Sequence, residues 1–479
     1  MKTNIIFQRV APLLAVLVTF ASCNKWLDVK PESQVKDTEL FSTETGFKEA
    51  LSGVYSSLTY EPLYGKEMTF GLMGVLGCEW DYQNSSYAAD KSYTYQSSVT
   101  SLNRIDAIWN GLYNSIANDN KILENIDQQK SVFSGVNYQV IKGEALALRA
   151  FIHFDLLRAF GASYAENPDK LTIPYVTSSS KAIFPQLSVT QVIDKVIADL
   201  VAAEELLKSD PIFTGKVVTI ADDNGYLINR QVHLNYYAVK GLLARVYLYK
   251  SDFVNALANA KAVIESTKFP WVSAAALSNR STADLTFSSE HLFALNNIRL
   301  GVISNNSFSN TGSSVFYIYK ASLGDYYNSA AEDYRYLHWF RINDLGDYYF
   351  NMYTQLTDAS WPMAYRNKMP LLKLSEMHLI AAESLVKVDF DAAAGHVNEL
   401  RKARGLAASP INVADFDAVL AQEYRKEFIG EGQLFFYHKR KNNAAIPKAS
   451  GLDLIALKGY KLPMPLAEYE NGVNRVDNQ

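Results

Sequence analysis

Residues 140–161 read VIKGEALALRAFIHFDLLRAFG, and no other stretch limits the possible folds as much. Ala147, Ala150, Phe151, Phe154, Leu157 and Phe160 recur at three- and four-residue steps, the period of a helix. Ala145, Ala147 and Ala150 are small, so a neighbouring helix can approach closely. The segment is too apolar for a free surface helix and calls for partners on more than one side. Gly161 stands where a left-handed C-cap would end it.

Two later stretches share this character. Residues 234–264 (LNYYAVKGLLARVYLYKSDFVNALANAKAVI) and 371–405 (LLKLSEMHLIAAESLVKVDFDAAAGHVNELRKARG) each read as a helix, a short break and a second helix. The breaks fall at Ser251-Asp252 and Val388-Asp389. Such helix–turn–helix units build tetratricopeptide-like (TPR-like) arrays. The full repeat consensus is absent, so the units are irregular. Further helices are predicted over 47–58, over 105–126 with Trp109 in the core, and over 189–207 with Ser188 as N-cap. The fold class is therefore all-α: an irregular TPR-like helix-pair scaffold with long inserted loops and a few short strands.

Composition narrows the function. The chain is 48% hydrophobic and 20% charged, which supports a globular core rather than disorder. A net charge of -4 gives no footprint for nucleic acid. Tyrosine is the commonest aromatic, with 30 residues against 24 Phe and 6 Trp, and its flat face with a polar tip suits wet binding surfaces.

The N-terminus reads as a lipoprotein signal over 1–22. Lys2 and Arg9 precede an apolar run that ends in Thr19-Phe20-Ala21-Ser22-Cys23. Small residues before Cys23 resemble a bacterial lipobox, so the mature chain is expected to start at a lipidated Cys23. Residues 23–45 are polar and irregular and read as a tether, leaving 46–479 as a single helical domain. The other cysteine, Cys78, then has no partner, and no CxxC or Cys/His metal spacing occurs.

Two segments, about 60–101 and 271–368, lack a helical period and read as functional loops. Residues 292–295 and 315–319 within the second have strand character. Trp80, Asp81, Tyr82 and Asn84 combine aromatic faces with polar groups in the first segment. Arg299, Asn305, Phe308 and Tyr317 do so in the second, and Trp361 offers a further face. An aromatic ring covers the apolar face of a sugar while amides, carboxylates and guanidinium groups bind its hydroxyls. These nine residues are the candidate ligand set.

Catalytic signals are weak. Glu79 with Asp81, or Glu332 with Asp333, imitates an acid/base couple only by adjacency. His153, His378 and His438 sit within helices. No HExxH, GxSxG, Walker or GxGxxG pattern is present. Asp222-Asp223-Asn224-Gly225 lacks the downstream Glu of a calcium loop and reads as a turn. Arg401-Lys402-Ala403-Arg404 reads as a helix C-terminus, and Glu423, Arg425, Lys426 and Glu427 as a solvated or ion-paired face. No metal, cofactor or catalytic residue is expected.

The order of the motifs resembles the SusD/RagB family of outer-membrane lipoproteins. GEALALRAFIHFDLLRAFG is followed by LLARVYLYKSDFVNALANAKAVI, LKLSEMHLIAAESL, HVNELRKARG, EYRKEFIGEGQLFFYHKR and LPMPLAEYENGVN, covering nearly the whole chain. Gln433 and Tyr437 depart from the usual basic and aliphatic residues. The resemblance implies a surface-exposed, lipid-anchored protein of the outer membrane, without enzymatic activity, with ligand aromatics in loops of about these positions. It implies capture of an oligosaccharide and its delivery to a SusC-like TonB-dependent transporter. Peptide capture within the same family, or glycoside hydrolysis, are the alternatives.

Overall fold

The computed structural model describes residues 38–308, 315–327, 331–343, 346–449 and 451–478. The leader and Cys23 lie outside the described residues. The long helices are α1 (Glu44–Leu58), α2 (Val99–Ile126), α3 (Asn137–Phe160), α4 (Val189–Leu207), α5 (Tyr236–Tyr249) and α6 (Phe253–Ile264). The shorter α7 (Leu300–Ser307), α8 (Lys320–Tyr327) and α9 (Tyr334–Trp339) follow, then α10 (Leu374–Leu385), α11 (Phe390–Ala403), α12 (Phe416–Glu427) and α13 (Gln433–Arg440). Each helix from α2 to α6 packs on the next, α6 packs on α10, and α10 on α11. This is the irregular helix-pair array that the apolar periodicity predicts, and the chain is an all-α protein with short strands.

Helix α3 is the centre of the array. It packs against α1, α2, α4 and α5, and nearly all its residues are buried. Burying each Phe or Leu contributes roughly 1.5–3 kcal/mol, so its apolar side chains anchor four neighbours at once. Gly143 permits the closest approach, since a Cβ there would stand 2.7 Å from Leu207 Cγ of α4. Helix α4 starts at a capping box: Ser188 Oγ accepts the Gln191 N–H while the Gln191 side chain accepts the Ser188 N–H.

Gly161 does not form the predicted left-handed cap. Its backbone is extended, at φ -85° and ψ 169°. Glycine is needed there for space, because a Cβ would lie 2.7 Å from Leu157 Cδ1 and 2.9 Å from the Leu157 carbonyl oxygen.

Strand pairs are short and antiparallel. They are β1 (Tyr82–Gln83), β2 (Leu171–Pro174), β3 (Gln186–Ser188), β4 (His291–Asn296), β5 (Phe316–Tyr317), β6 (Phe340–Ile342), β7 (Tyr348–Phe350) and β8 (Lys368–Lys373). The pairs are β1–β5, β2–β3, β4–β8 and β6–β7. The β4–β8 ladder runs from His291↔Lys373 to Asn296↔Lys368, and the Asn297 N–H donates to the Asn367 carbonyl at 2.8 Å. Residues 297–367 therefore leave and return through one closed base.

The two segments read as loops are less open than their composition suggests. Leu63, Tyr64, Met68, Phe70, Leu72, Met73, Val75, Leu76, Cys78 and Trp80 are all buried in the main core. Asp222 to Gly225 forms the turn expected, with Asp222 Oδ2 accepting the Thr219 N–H. His153 is a satisfied core residue: its Nδ1 meets the Arg149 carbonyl at 2.8 Å and its Nε2 accepts the Val176 N–H.

The charged run near α12 is not solvated. Glu423, Glu427, Arg335 and Arg404 are wholly buried. Arg404 holds Glu290 through two bonds of 2.7 Å and Glu427 at 2.6 Å. Arg335 meets Asp333 at 2.7 Å, Glu427 at 3.1 Å and Glu423 at 3.2 Å. Lys373 reaches Glu427 at 3.2 Å and Glu431 at 2.6 Å. Arg404 thus does more than complement a helix dipole; it joins the residue before β4 to the end of α12. Burial alone would raise the Glu427 carboxyl, but Arg404, Lys373 and Arg335 outweigh it and hold it well below the usual carboxylate range.

Removing one member of such a cluster leaves uncompensated buried charge, which costs roughly 3–5 kcal/mol. Glu427→Gln preserves volume and should lower unfolding stability by about that much in urea melts. A loss under about 1 kcal/mol would show the cluster is not needed for stability.

Candidate functional site

The site grows from a turn beside the charge cluster. Gly430 and Gly432 have φ of +80° and +71°. A Cβ on Gly430 would meet the Phe350 ring at 2.4 Å, so this turn admits glycine for conformation and for space. The Gly430 N–H donates to Glu79 Oε2 at 2.7 Å. Glu79 is buried, and its Oε1 has no hydrogen-bond partner. That bond fixes the start of the segment carrying Trp80, Asp81 and Tyr82.

Trp80 points inward. Its Nε1–H donates to the Phe70 carbonyl at 2.8 Å. Phe308, Phe316 and Phe350 pack around it at 5.2, 5.7 and 5.6 Å between centroids. Tyr82 points outward and is 37% exposed. In the β1–β5 register Tyr82 faces Tyr317, and the two rings stack at 4.5 Å with 12° between planes. Tyr319, two residues on along the same edge, is 48% exposed and meets Tyr317 edge-on at 5.7 Å. Such pairs contribute about 0.5–1.5 kcal/mol beyond burial, so the rings hold each other in place.

Asp81 organises the rim. Its Oδ2 accepts the Tyr319 N–H at 2.7 Å, and its Oδ1 accepts from Ser322 at 2.9 Å and Lys448 at 2.7 Å. Lys448 lies 4.3 Å from the Tyr326 ring centroid, and Arg425 lies 3.9 Å from it. The ribbon continues sideways. Ile318 and Tyr348 exchange backbone bonds of 3.0 and 3.2 Å, joining the β5 edge to β7, and β7 pairs with β6. Tyrosine rings, a carboxylate, a hydroxyl and cations thus stand close together along this strand edge.

The nine predicted residues separate into three groups. Asp81, Tyr82 and Tyr317 meet in this ribbon, and Asn84 continues it, donating its N–H to the Val315 carbonyl at 3.1 Å while its side chain caps the Ser86 N–H. Arg299 stands elsewhere, 58% exposed, and pairs with Glu61 at 3.3 Å. Asn305 is exposed on α7. Trp80, Phe308 and Trp361 are corrections. They are 1%, 4% and 3% exposed, and they form core rather than a ligand face. Trp361 Nε1–H donates to the Ala283 carbonyl at 3.1 Å. Tyr319 and Lys448 were missed. Period-two alternation through Tyr317-Ile318-Tyr319 could have marked the first, whereas Lys448 carries no local signal.

The paired carboxylates do not converge. Glu79 faces the Gly430 turn while Asp81 faces Lys448, and Asp333 is taken by Arg335. Among the described residues no group of three or more His, Cys, Asp or Glu side chains is arranged to hold a metal ion. Two surface grooves of about 490 and 310 Å³ flank the helix Leu466–Asn471. Gln96, Asp106 and Tyr469 line one, and Tyr113, Ser179 and Arg475 the other, so neither contains the tyrosine ribbon.

Known proteins share this architecture. Residues 25–248 match the SusD-like family described as starch-binding and associating with outer membrane, and residues 310–447 match the SusD family. The SusD-like protein P38 of Formosa agariphila is 27% identical over 42% of this chain. The chain spans 38% of that relative's length. The crystal structure of a SusD superfamily protein from Bacteroides thetaiotaomicron superposes with a TM-score of 0.72 at 22% identity, covering 91% of this chain and 100% of the other. The surface glycan-binding protein A from Bacteroides uniformis gives 0.65 at 20% identity, covering 91% and 99%.

Glu79 beneath the ribbon makes stability depend on pH. Burial pushes its carboxyl from 4.5 up to about 8, against the Gly430 N–H, with the nearby Glu431 charge adding to the rise. The folded chain keeps this proton where the unfolded chain has lost it, so stability falls as pH climbs from about 4.5 to about 8. Burial also raises Glu431 to about 7, against Lys373, which steepens the decline below that pH. Glu79→Gln keeps the acceptor and removes the titration. Urea melts should show a shallower decline and a gain at pH 8 on the order of 3 kcal/mol; an unchanged slope would mean that Glu79 is ionised in the folded protein.

Proposed function

This chain belongs to the SusD/RagB family, and we propose that it captures oligosaccharide at the cell surface and delivers it to a SusC-like TonB-dependent transporter. The observation that carries this reading is the outward tyrosine ribbon: Tyr82 and Tyr317 stacked at 4.5 Å, with Tyr319 beside them and Asp81 at the rim. A pyranose presents axial C–H groups on one face and hydroxyls around its edge. The ring faces cover the first, and the Asp81, Ser322 and Lys448 groups serve the second. The strand pairing holds these groups before ligand arrives, so little ordering cost falls on binding.

The mechanism is non-covalent capture, with no bond made or broken. Relatives support the ligand class: one is a surface glycan-binding protein, and a matching family is described as starch-binding. Attachment rests on acylation of Cys23. Among the described residues no helix is long and apolar enough to cross a membrane. The helical array supplies the broad rigid body that a transporter partner would engage.

A glycan-array screen of residues 24–479, followed by calorimetry, tests this. Tyr317→Ala and Tyr82→Ala should each weaken a glycan hit about tenfold, equivalent to about 1.4 kcal/mol, with the fold intact. Unchanged affinity in both would remove the ribbon from the site. Sustained product formation by pure protein would refute non-enzymatic capture, and saturable binding of peptides alone would move the assignment to peptide uptake.

A further inference from the structure

Helices α10 and α11 form a hairpin in which two imidazoles meet. His378 stands on α10 and His396 on α11, and their Nδ1 atoms are 3.2 Å apart. The ring centroids lie 5.2 Å apart with 68° between planes. His378 is buried and His396 half-buried, so solvent touches the pair through His396.

Both helices are held in place independently of the pair. Two residues before His378, Glu376 takes Arg245 of α5 through bonds of 2.6 and 2.7 Å. The Trp271 ring packs on His378, with centroids 5.0 Å apart. On α11, Asp389 Oδ1 accepts the Ala392 N–H at 3.0 Å, and Arg404 beyond the last turn is locked to Glu290 and Glu427.

The spacing of the two nitrogens fits two descriptions. One is a hydrogen bond in which one ring carries Nδ1–H and the other accepts. The other is one edge of a metal coordination sphere. Two nitrogens each roughly 2.0–2.1 Å from a shared ion stand about 3.3 Å apart in tetrahedral and about 2.9 Å apart in octahedral geometry. The observed 3.2 Å falls between these values.

A carboxylate favours the second description. Glu399 follows His396 by three residues, which puts it on the same face of α11. Glu399 is exposed, and its ion pair with Lys402, at 3.5 Å, joins two solvated side chains, so little holds it back. Among the described residues no third His, Cys, Asp or Glu converges on the pair as it stands, so this carboxylate must turn inward to join it. Two imidazoles and a carboxylate are a donor set that transition metals use. Burial, helped by His396 and Arg404, pushes His378 from 6.5 down to about 3, and burial and Lys261 lower His396 against Glu399. Both rings are neutral at pH 7, the form that offers a lone pair to a metal. The same two cations oppose a third. Arg404 is already matched by two carboxylates, and Lys261 is solvated, where its charge is screened.

We propose that His378 and His396 form a transition-metal site that clasps α10 to α11, taking copper(II), nickel(II) or zinc(II), with Glu399 as third donor and water completing the sphere. The inference does not depend on the ribbon being the glycan site.

The metals alone test it. Tag-free chain, stripped with chelator, is titrated with each chloride salt by calorimetry. One saturable site per chain is expected, with copper(II) bound most tightly. Copper(II) should also quench part of the tryptophan emission, because Trp271 touches His378. His396→Gln alters a half-buried ring and removes a ligand, so copper(II) affinity should fall roughly 10–100-fold or more. The electron paramagnetic resonance spectrum should show two coupled nitrogens in the parent chain and one in this variant. Glu399→Gln should weaken binding less and leave both nitrogens coupled. His378→Gln, checked for its fold by circular dichroism, should match His396→Gln. No saturable binding of any of the three ions, or copper(II) affinity unchanged in His396→Gln, overturns the site and leaves the contact a hydrogen bond.

Discussion

Glu427 is the point through which the C-terminal half of the structure is tied together. Its carboxylate receives Arg404 from the end of α11, Arg335 from α9 and Lys373 from the end of β8. Arg404 passes the connection on to Glu290, just ahead of β4. Placing these charges out of water is expensive, and only near-complete mutual pairing offsets it. The cluster therefore tolerates one arrangement of its elements and few others. An apolar contact in the same place would allow sliding; a buried bidentate pair does not.

The tyrosine ribbon inherits that rigidity in a few steps. Glu427 ends α12, and the Gly430 turn follows within three residues. Its N–H takes the Glu79 carboxyl, which sets where Trp80 enters the core. Trp80 in turn packs on Phe316 and Phe350, whose strands carry Tyr317 and Tyr349 outward. Lys373 serves both ends of this chain of contacts, pairing with Glu427 and with Glu431 inside the turn. The tyrosine stack is thus placed by electrostatics several contacts away from any ring.

The helical array was legible because its determinants are local. A 3.6-residue apolar period, a Ser188 cap and small residues at close crossings lie within one segment each. The short strands at 292–295 and 315–319 were legible for the same reason. The aromatic candidates were not, because composition is the same for a core tryptophan and a ligand-facing one. What buries Trp80 is Phe308, Phe316 and Phe350, all more than two hundred residues distant in sequence. For Glu423 the sequence left a solvated and an ion-paired face open, and for Arg404 it showed only the helix C-terminus, because their partners arrive from α9 and the residue before β4. Asp81, Tyr82 and Tyr317 were each singled out from local composition, while their meeting depended on a two-residue strand pairing that local pattern does not specify.

Building the ribbon on strand edges separates its outward face from the packing behind it. Along the β5 edge, Phe316 and Ile318 face the core while Tyr317 and Tyr319 face out. Along β6, Phe340 faces in and Arg341 out. Because alternation assigns each side chain to one face, an outward residue can change without disturbing the packing behind it. A helix offers no such clean division, since adjacent positions on its buried stripe share the same neighbours. Structures at 22% and 20% identity share the overall fold over 91% of this chain. A fold held by helices and buried charge can therefore keep its body fixed while the outward positions of the ribbon vary.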